Sequence, residues 1–218
     1  PLGFIGSWHN PSSPSSSSSF NTFSIAVTQT ANFNNVISYK GLNNYSSAAE
    51  QYAEEIPVTG LTLNGVLNNP QYAYGSSLAI STFLVDTFRM AGNLYVKALP
   101  EKFLIDNGQA VMQSNRIETK GGITEVAIAF ANNQQDKWYL GGTIGIPIVR
   151  YERNTEYTES DPSGNITNNF NYYTLRDHLT TKGIGFNAKL GAIYRPLDYV
   201  RIGAAIHTPS LMSLTDTR

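Results

Sequence analysis

Apolar and polar residues alternate along most of the second half of the chain. Val126, Ile128 and Phe130 share one face, with Glu125, Ala127 and Ala129 on the other. Trp138, Leu140, Ile144, Ile146 and Ile148 then alternate with Tyr139, Gly141, Thr143, Gly145 and Pro147. Ile184, Phe186, Ala188, Leu190, Ala192 and Tyr194 oppose Gly185, Asn187, Lys189, Gly191 and Arg195. Val200, Ile202, Ala204 and Ile206 oppose Arg201, Gly203, Ala205 and His207, and earlier Phe23, Ile25, Val27, Ala31 and Phe33 form one more such face. Successive side chains of a strand point to opposite faces, so a period of two predicts strands with one apolar side. The predicted strands cover 23–33, 117–131, 138–152, 179–195 and 199 onward.

Between the first two of these strands the pattern is irregular. Ser46 to Glu55 reads as a helix with Ser46 or Ser47 as N-cap, Glu50 completing a capping box, and Pro57 and Gly60 ending it. Ser77–Phe88 is ambiguous: Leu78, Ser81, Thr82 and Val85 fit a helical spacing poorly, and the β-branched content permits a strand. The reading preferred here is a helix inside a single insertion, 34–115. Residues 11–19, rich in Ser with Pro11 and Pro14, read as a low-complexity, solvated connector.

Alternating strands also build soluble sandwiches and lipocalin-like barrels, so the connections decide. They run short (132–137), long (153–178) and short (196–198), with 34–115 as another long one. Outer-membrane barrels have short periplasmic turns and long extracellular loops. The segment 138–152 also exceeds the ~5–6 residues usual in soluble sheets and suits the ~9–11 a tilted membrane strand needs. Trp138, Tyr139, Tyr151, Tyr194 and Tyr199 sit near strand ends, where an interfacial aromatic girdle belongs. The expected fold is therefore all-β: part of a transmembrane antiparallel β-barrel with a large, partly helical extracellular insertion (34–115) and an extracellular loop (153–178). The connector 11–19 is then periplasmic.

Composition agrees with that reading. Charged residues make up 14% and hydrophobic residues 41% of the 218 positions, and the mean hydropathy is −0.23. Nothing approaches the ~18 consecutive apolar residues of a transmembrane helix. A net charge of −1 gives no electrostatic reason to expect nucleic acid as a partner. The absence of Cys removes disulfides and thiolate chemistry. The chain, running from Pro1 to Arg218, reads as an internal fragment of an exported protein.

Particular runs also resemble a known family. Gly121-Gly122-Ile123-Thr124-Glu125, the run from Lys137 to Pro147, and Arg150-Tyr151-Glu152-Arg153 are similar to FadL/TodX-type outer-membrane transporters of hydrophobic compounds, in the form found in Bacteroidetes. So are the run from Gly185 to Pro196 and the run from Arg201 to Pro209; Asn32 to Asn35 and Tyr45 to Ser47 are similar but less distinctive. These segments span most of the chain from Phe23, and their order and spacing carry the likeness. The resemblance implies a monomeric barrel of 14 strands, within the even-numbered range of such proteins, with a hatch in its lumen. It implies passive uptake of long-chain fatty acids or aromatic hydrocarbons at the outer membrane of a Gram-negative bacterium, by capture at extracellular loops and release through the wall. Some barrels of this type instead serve protein secretion as docking components. No enzyme activity, cofactor or metal is implied.

Glu125, Lys189, Arg201 and His207 fall on the polar, lumen-facing sides of their strands. Lys189 or Arg201 can meet a fatty-acid carboxylate, since a buried anion needs charged donors, or can pair with Glu125 and hold the wall in register. Pro147, which cannot donate to a ladder, stands with Gly141, Gly142 and Gly145 as a candidate wall opening, or as a strand that only accommodates small residues. Phe83 and Phe88, with Leu78, Ile80, Leu84 and Val85, can line a capture groove or form the packed side of the insertion. Glu156, Glu159 and Asp161 supply oxygens of the kind Ca²⁺ prefers, but in no EF-hand spacing, and an exposed acidic loop is by far the commoner reading. His9, His178 and His207 have no metal-ligand spacing, and no nucleophile or phosphate-loop motif is present.

Overall fold

The computed structural model describes residues 1–9 and 19–218. Of the connector at 11–19, residues 11–18 lie outside the described residues. The fold is all-β, with ten strands among the described residues: β1 (Leu2–His9), β2 (Phe20–Asn32), β3 (Asn35–Asn43), β4 (Val85–Met90), β5 (Asn93–Ala98), β6 (Val111–Gln134), β7 (Trp138–Ser160), β8 (Tyr172–Leu197), β9 (Val200–His207) and β10 (Leu211–Thr217). Four short helices lie between β3 and β6: α1 (Glu50–Thr59), α2 (Leu63–Leu67), α3 (Ser76–Ser81) and α4 (Leu99–Phe103). Eight strands form one sheet in the order β1-β2-β6-β7-β8-β10, with β3 also pairing β6 and β9 also pairing β8. The β1/β2, β2/β6, β8/β9 and β8/β10 pairings are antiparallel. Strands β4 and β5 form a separate hairpin. The sheet order is open, ending on β1 at one side and on β9 and β10 at the other.

Two compact units are present, and β6, β7 and β8 contribute residues to both. The first comprises Pro1–Val36, Glu118–Asn154 and His178–Arg218. Its strands pair in the register that the alternation requires, with Phe23 opposite Phe130, Ile25 opposite Ile128 and Val27 opposite Val126. The register then shifts between Gln29 and Ala31, leaving Thr30 as the extra residue of a bulge. Beyond it the Phe33 N–H donates to the Gly121 carbonyl at 3.0 Å, and the Gly121 N–H donates to Asn34 Oδ1 at 2.9 Å. Gly121 has φ +111, and a Cβ there would overlap the Arg150 carbonyl. Only glycine fits.

The turn between β6 and β7 is tight. Gln135 and Asp136 both have positive φ, 57 and 55, the signature of a type I′ hairpin turn. Neither is Gly, and side chains compensate: the Asp136 N–H donates to Asn133 Oδ1 at 3.0 Å and the Gln135 N–H to the buried Ser19 hydroxyl at 3.1 Å.

The second unit comprises Ile37–Ile117 and Thr155–Asp177. It has an ordinary core, with Ala49, Ala53, Ile56, Val66, Ala79, Val85 and Ala98 buried together. Leu104, Val111 and Phe170 form a second cluster. The helix expected at 46–55 begins later, at Glu50, because Ser47 bonds the turn preceding it. Ser47 Oγ accepts from the Ala49 N–H at 3.1 Å, while Glu50 Oε1 accepts from the Ser47 N–H at 2.7 Å. Pro57 does not end α1 but lies inside it; Gly60, left-handed at φ 68, ends it and donates its N–H to the Pro57 carbonyl. The ambiguous stretch 77–88 divides into α3 and β4, separated by Phe83 with φ 56.

The second unit, Ile37–Ile117 and Thr155–Asp177, has nearly the bounds expected for the insertion (34–115) and the loop (153–178). What differs is the length of the strands, which run on into it: β7 continues to Ser160 and β8 begins at Tyr172, leaving 161–171 between them, and β3 and β6 leave 44–110. In both places polar residues occupy both faces of a strand. Alternation reports which face is apolar, not whether the backbone is paired, so these extensions leave no periodic trace.

Candidate functional site

In the first unit, β7 and β8 are inverted relative to strands of a water-soluble sheet. Along β7 the odd positions Gly145, Pro147 and Val149 are buried, while Trp138, Leu140 and Ile144 are exposed. Along β8, Asn187 is 2% exposed, whereas Ile184 is 56% and Leu190 62% exposed. Ile25, Val27, Ile128, Phe130, Phe186, Ile202 and Ile206 are exposed as well. Among the described residues Val149 and Pro147 are the buried apolar side chains of this unit, whereas the buried clusters belong to the second unit. Scattered exposed apolar residues are normal, but a contiguous apolar face is not.

This face has a defined extent. On β7 it runs from Trp138 to Ile148 and on β8 from Ile184 to Tyr194. Ten residues at ~3.3 Å span about 33 Å along a strand, or about 25 Å at a tilt near 40°. At one end Trp138 and Tyr194 stack, with ring centroids 4.3 Å apart and 29° between planes.

On the opposite face a polar cluster links β6 and β8, and reaches the connection between β9 and β10. Lys189 Nζ lies 3.0 Å from Glu125 Oε1, so the pairing alternative describes the observed contact. Asn187 Nδ2 donates to Glu125 Oε2 and to Ser210 Oγ, each at 3.3 Å. Gly145 makes the room: a Cβ there would press on both Asn187 and Glu125. Asn187 Oδ1 is buried with no hydrogen-bond partner, an acceptor facing the same cluster. His207 joins by register, opposite Lys189. Arg201 does not. It lies towards the far end of β9, in the irregular stretch between the Tyr194–Ile202 and Leu197–Val200 pairs, roughly 20 Å from His207 along the strand. Asn187 and Ser210 were not singled out from the sequence, although the alternation puts Asn187 on the same face as Lys189.

Gly141, Gly142, Gly145 and Pro147 lie in a strand assigned without interruption from Trp138 to Ser160. Gly141 and Gly142 floor a groove of about 630 Å³ with Phe130, Leu140, Leu190 and Ile206. The backbone irregularities described for this unit lie elsewhere, at Thr30, at Gly121 and between Tyr194 and Leu197.

In the second unit, Phe83 is 71% exposed, whereas Phe88 packs edge-on against Phe103 at 5.8 Å. The two therefore do not form one surface. Val58, Leu61, Tyr74 and Leu78 are exposed in the same insertion. The acidic trio is dispersed. Glu156 pairs with Arg176 at 2.8 Å, and Asp161 accepts from the Ser163 N–H at 2.7 Å. Glu159 is not solvated at all: it is fully buried and accepts from the Ala48 N–H (2.8 Å), Gln113 Nε2 (2.8 Å), Tyr157 Oη (2.7 Å) and Ser47 Oγ. Burial, and then the nearby Glu159 carboxylate, push the Tyr157 and Tyr173 phenols above their ordinary range. No group of three or more His, Cys, Asp or Glu suited to a metal occurs among the described residues.

No family model, curated protein or solved structure matches the chain. The functional reading thus stands on the sheet and its inverted faces.

Proposed function

We propose that this chain is wall and extracellular insertion of an outer-membrane β-barrel that passively admits hydrophobic compounds, long-chain fatty acids or aromatic hydrocarbons. The observation that carries the reading is the inversion: the exposed face is apolar over about the height of a bilayer's hydrocarbon, while Glu125, Asn187 and Lys189 are gathered on the other. In water that arrangement would expose a large apolar face with no compensating core. In hydrocarbon it satisfies both sides, because the polar cluster lines a lumen and the apolar face meets lipid. The open sheet order requires further strands to pair its edges, since unpaired backbone groups in lipid cost several kcal/mol each.

Transport itself is supported by the resemblance to FadL/TodX-type proteins and by the exposed apolar residues of the insertion, Phe83 and Tyr74 among them, which suit capture of a hydrophobic ligand from water. Lys189, His207 and Glu125 are the lumenal residues a passing carboxylate would meet, and Lys189 would have to exchange its Glu125 partner to bind one. Wall exit through Gly141, Gly142, Gly145 and Pro147 is one route. The Gly121 irregularity is another, favoured by its left-handed backbone and the adjacent bulge.

The test has two stages. The full-length protein should fractionate with the outer membrane and run at a heat-modifiable position on gels; recovery in the soluble fraction would overturn the membrane reading. Cells carrying the gene should take up labelled oleate or labelled toluene faster than a deletion strain. Unchanged uptake of both compounds would overturn transport and favour a docking role in secretion.

A further inference from the structure

Three basic side chains from neighbouring strands gather where the apolar band ends. Lys120 of β6, Arg150 of β7 and Lys182 of β8 line one depression of about 240 Å³, with Glu152, Thr180 and Thr181 at its rim. Arg150 has the parity of Ile144, Ile146 and Ile148 on β7, and Lys182 that of Ile184 and Phe186 on β8. Both are exposed and lie on the apolar side, just past its last apolar residue. Gly145 lies against Asn187 across these two strands. Counting up one unbroken strand and down the other brings Arg150 level with Lys182.

Like charges directly opposite one another in a sheet repel. Neither the Arg150 nor the Lys182 side chain has a hydrogen-bond or ion-pair partner among the described residues, whereas Lys120 is held by Glu118 at 2.9 Å. Glu152, the single carboxylate lining the depression, already accepts from Asn154 Nδ2 at 2.9 Å. Strands ~4.8 Å apart place two cations within reach of one phosphate, which accepts charge-assisted bonds from both. Towards the opposite end of the band Arg195 is occupied by Asp198 at 3.0 Å and the aromatic stack takes the boundary. The two ends therefore differ in chemistry.

We propose that Arg150 and Lys182, with Lys120 beside them, form a binding site for the phosphorylated headgroup of a membrane glycolipid whose acyl chains lie along the exposed band. Continuity selects this ligand over free phosphate: the basic pair passes directly into Ile148 and Ile184, so one molecule with an anionic head and apolar tails matches both surfaces. In chain order β7 leaves the site at Arg150 towards the long connection 161–171 and β8 returns from it to Lys182; long connections are extracellular in such barrels, which puts the site in the outer leaflet. The inference rests on the membrane reading above.

The test uses the full-length protein, extracted from outer membranes in dodecyl maltoside and shown to be folded by heat-modifiable mobility. Bisphosphorylated lipid A, its dephosphorylated form and inorganic phosphate are titrated separately, and binding is followed by native mass spectrometry and by the shift in unfolding temperature. The expected result is saturable binding of the bisphosphorylated lipid alone, about tenfold weaker in the Arg150→Gln/Lys182→Gln variant, a loss equivalent to 1.4 kcal/mol. Lys137→Gln, in the hairpin turn at the opposite end, should leave affinity unchanged. Equal affinity of the double variant, equal binding of the dephosphorylated lipid, or equal binding of inorganic phosphate would each overturn the proposal. A chain absent from the outer membrane would instead fail at the first step, and would overturn the membrane reading with it.

Discussion

Gly121 and Gly141 are both strand glycines in the same sheet, yet their surroundings assign them opposite sensitivities. A Cβ on Gly141 meets nothing closer than 3.6 Å, and ordinary surface-type substitutions change stability by about 0.5 kcal/mol or less. A Cβ on Gly121 would collide with the Arg150 backbone at a φ of +111 that L residues rarely adopt. Backbone cannot move aside as a flexible side chain can. Gly121→Ala in the full-length protein should therefore lower stability by about 3 kcal/mol or more, or prevent folding. Gly141→Ala should fold with an unchanged urea midpoint in detergent micelles. Equal midpoints for the two variants would mean that the strand is not strained at Gly121.

Among the elements, those of the second unit hold three groups that tie its stability to alkaline pH. Burial disfavours the charge on Lys97, but hydrogen bonds to Glu101 (2.6 Å) and Asp106 (2.9 Å) outweigh it and hold its pKa above the usual lysine value. Tyr157 and Tyr173 are also raised. For all three the folded state keeps the proton longer than the unfolded state. Their contribution is complete below the unfolded values, near pH 10 to 10.5, and is lost as pH rises towards the folded ones. Phenolate absorbance near 295 nm should thus show two tyrosines that ionise only as the second unit unfolds; ionisation of every tyrosine near pH 10 with the fold intact would contradict this. The elements also show what the sequence made legible. Alternation located the central parts of β2, β6, β7, β8 and β9, because one face of each is uniformly apolar. It missed β1, where Gly3, Gly6 and His9 blur the period, and the β4–β5 hairpin, whose turn is formed by Ala91 and Gly92, both with positive φ. It gave the Glu125–Lys189 pair as one of two alternatives. It gave no sign of Glu159 as a buried acceptor, because the donors that justify burying it, Ser47, Ala48 and Gln113, lie far away in sequence.

At the scale of the whole molecule, the two units are stabilised by different physics. The second has buried clusters around Val66 and Leu104, and its packing obeys volume as well as polarity. The first turns its large apolar side chains outward. In a bilayer such a side chain is surrounded by fluid acyl chains, which close over any space left by a smaller one. Ile56→Ala in the insertion should then cost about 2–5 kcal/mol, a transfer term plus a cavity term. Ile144→Ala on the band should cost only the smaller transfer term, on the order of 1–2 kcal/mol, measured by urea unfolding of the full-length protein in lipid vesicles. A comparable loss at both positions would mean that Ile144 is packed against protein. Size should therefore be a free variable along the band and a fixed one in the insertion. A saturation screen would then show alternate positions of β7 and β8 accepting any apolar residue, large or small, and rejecting only charge.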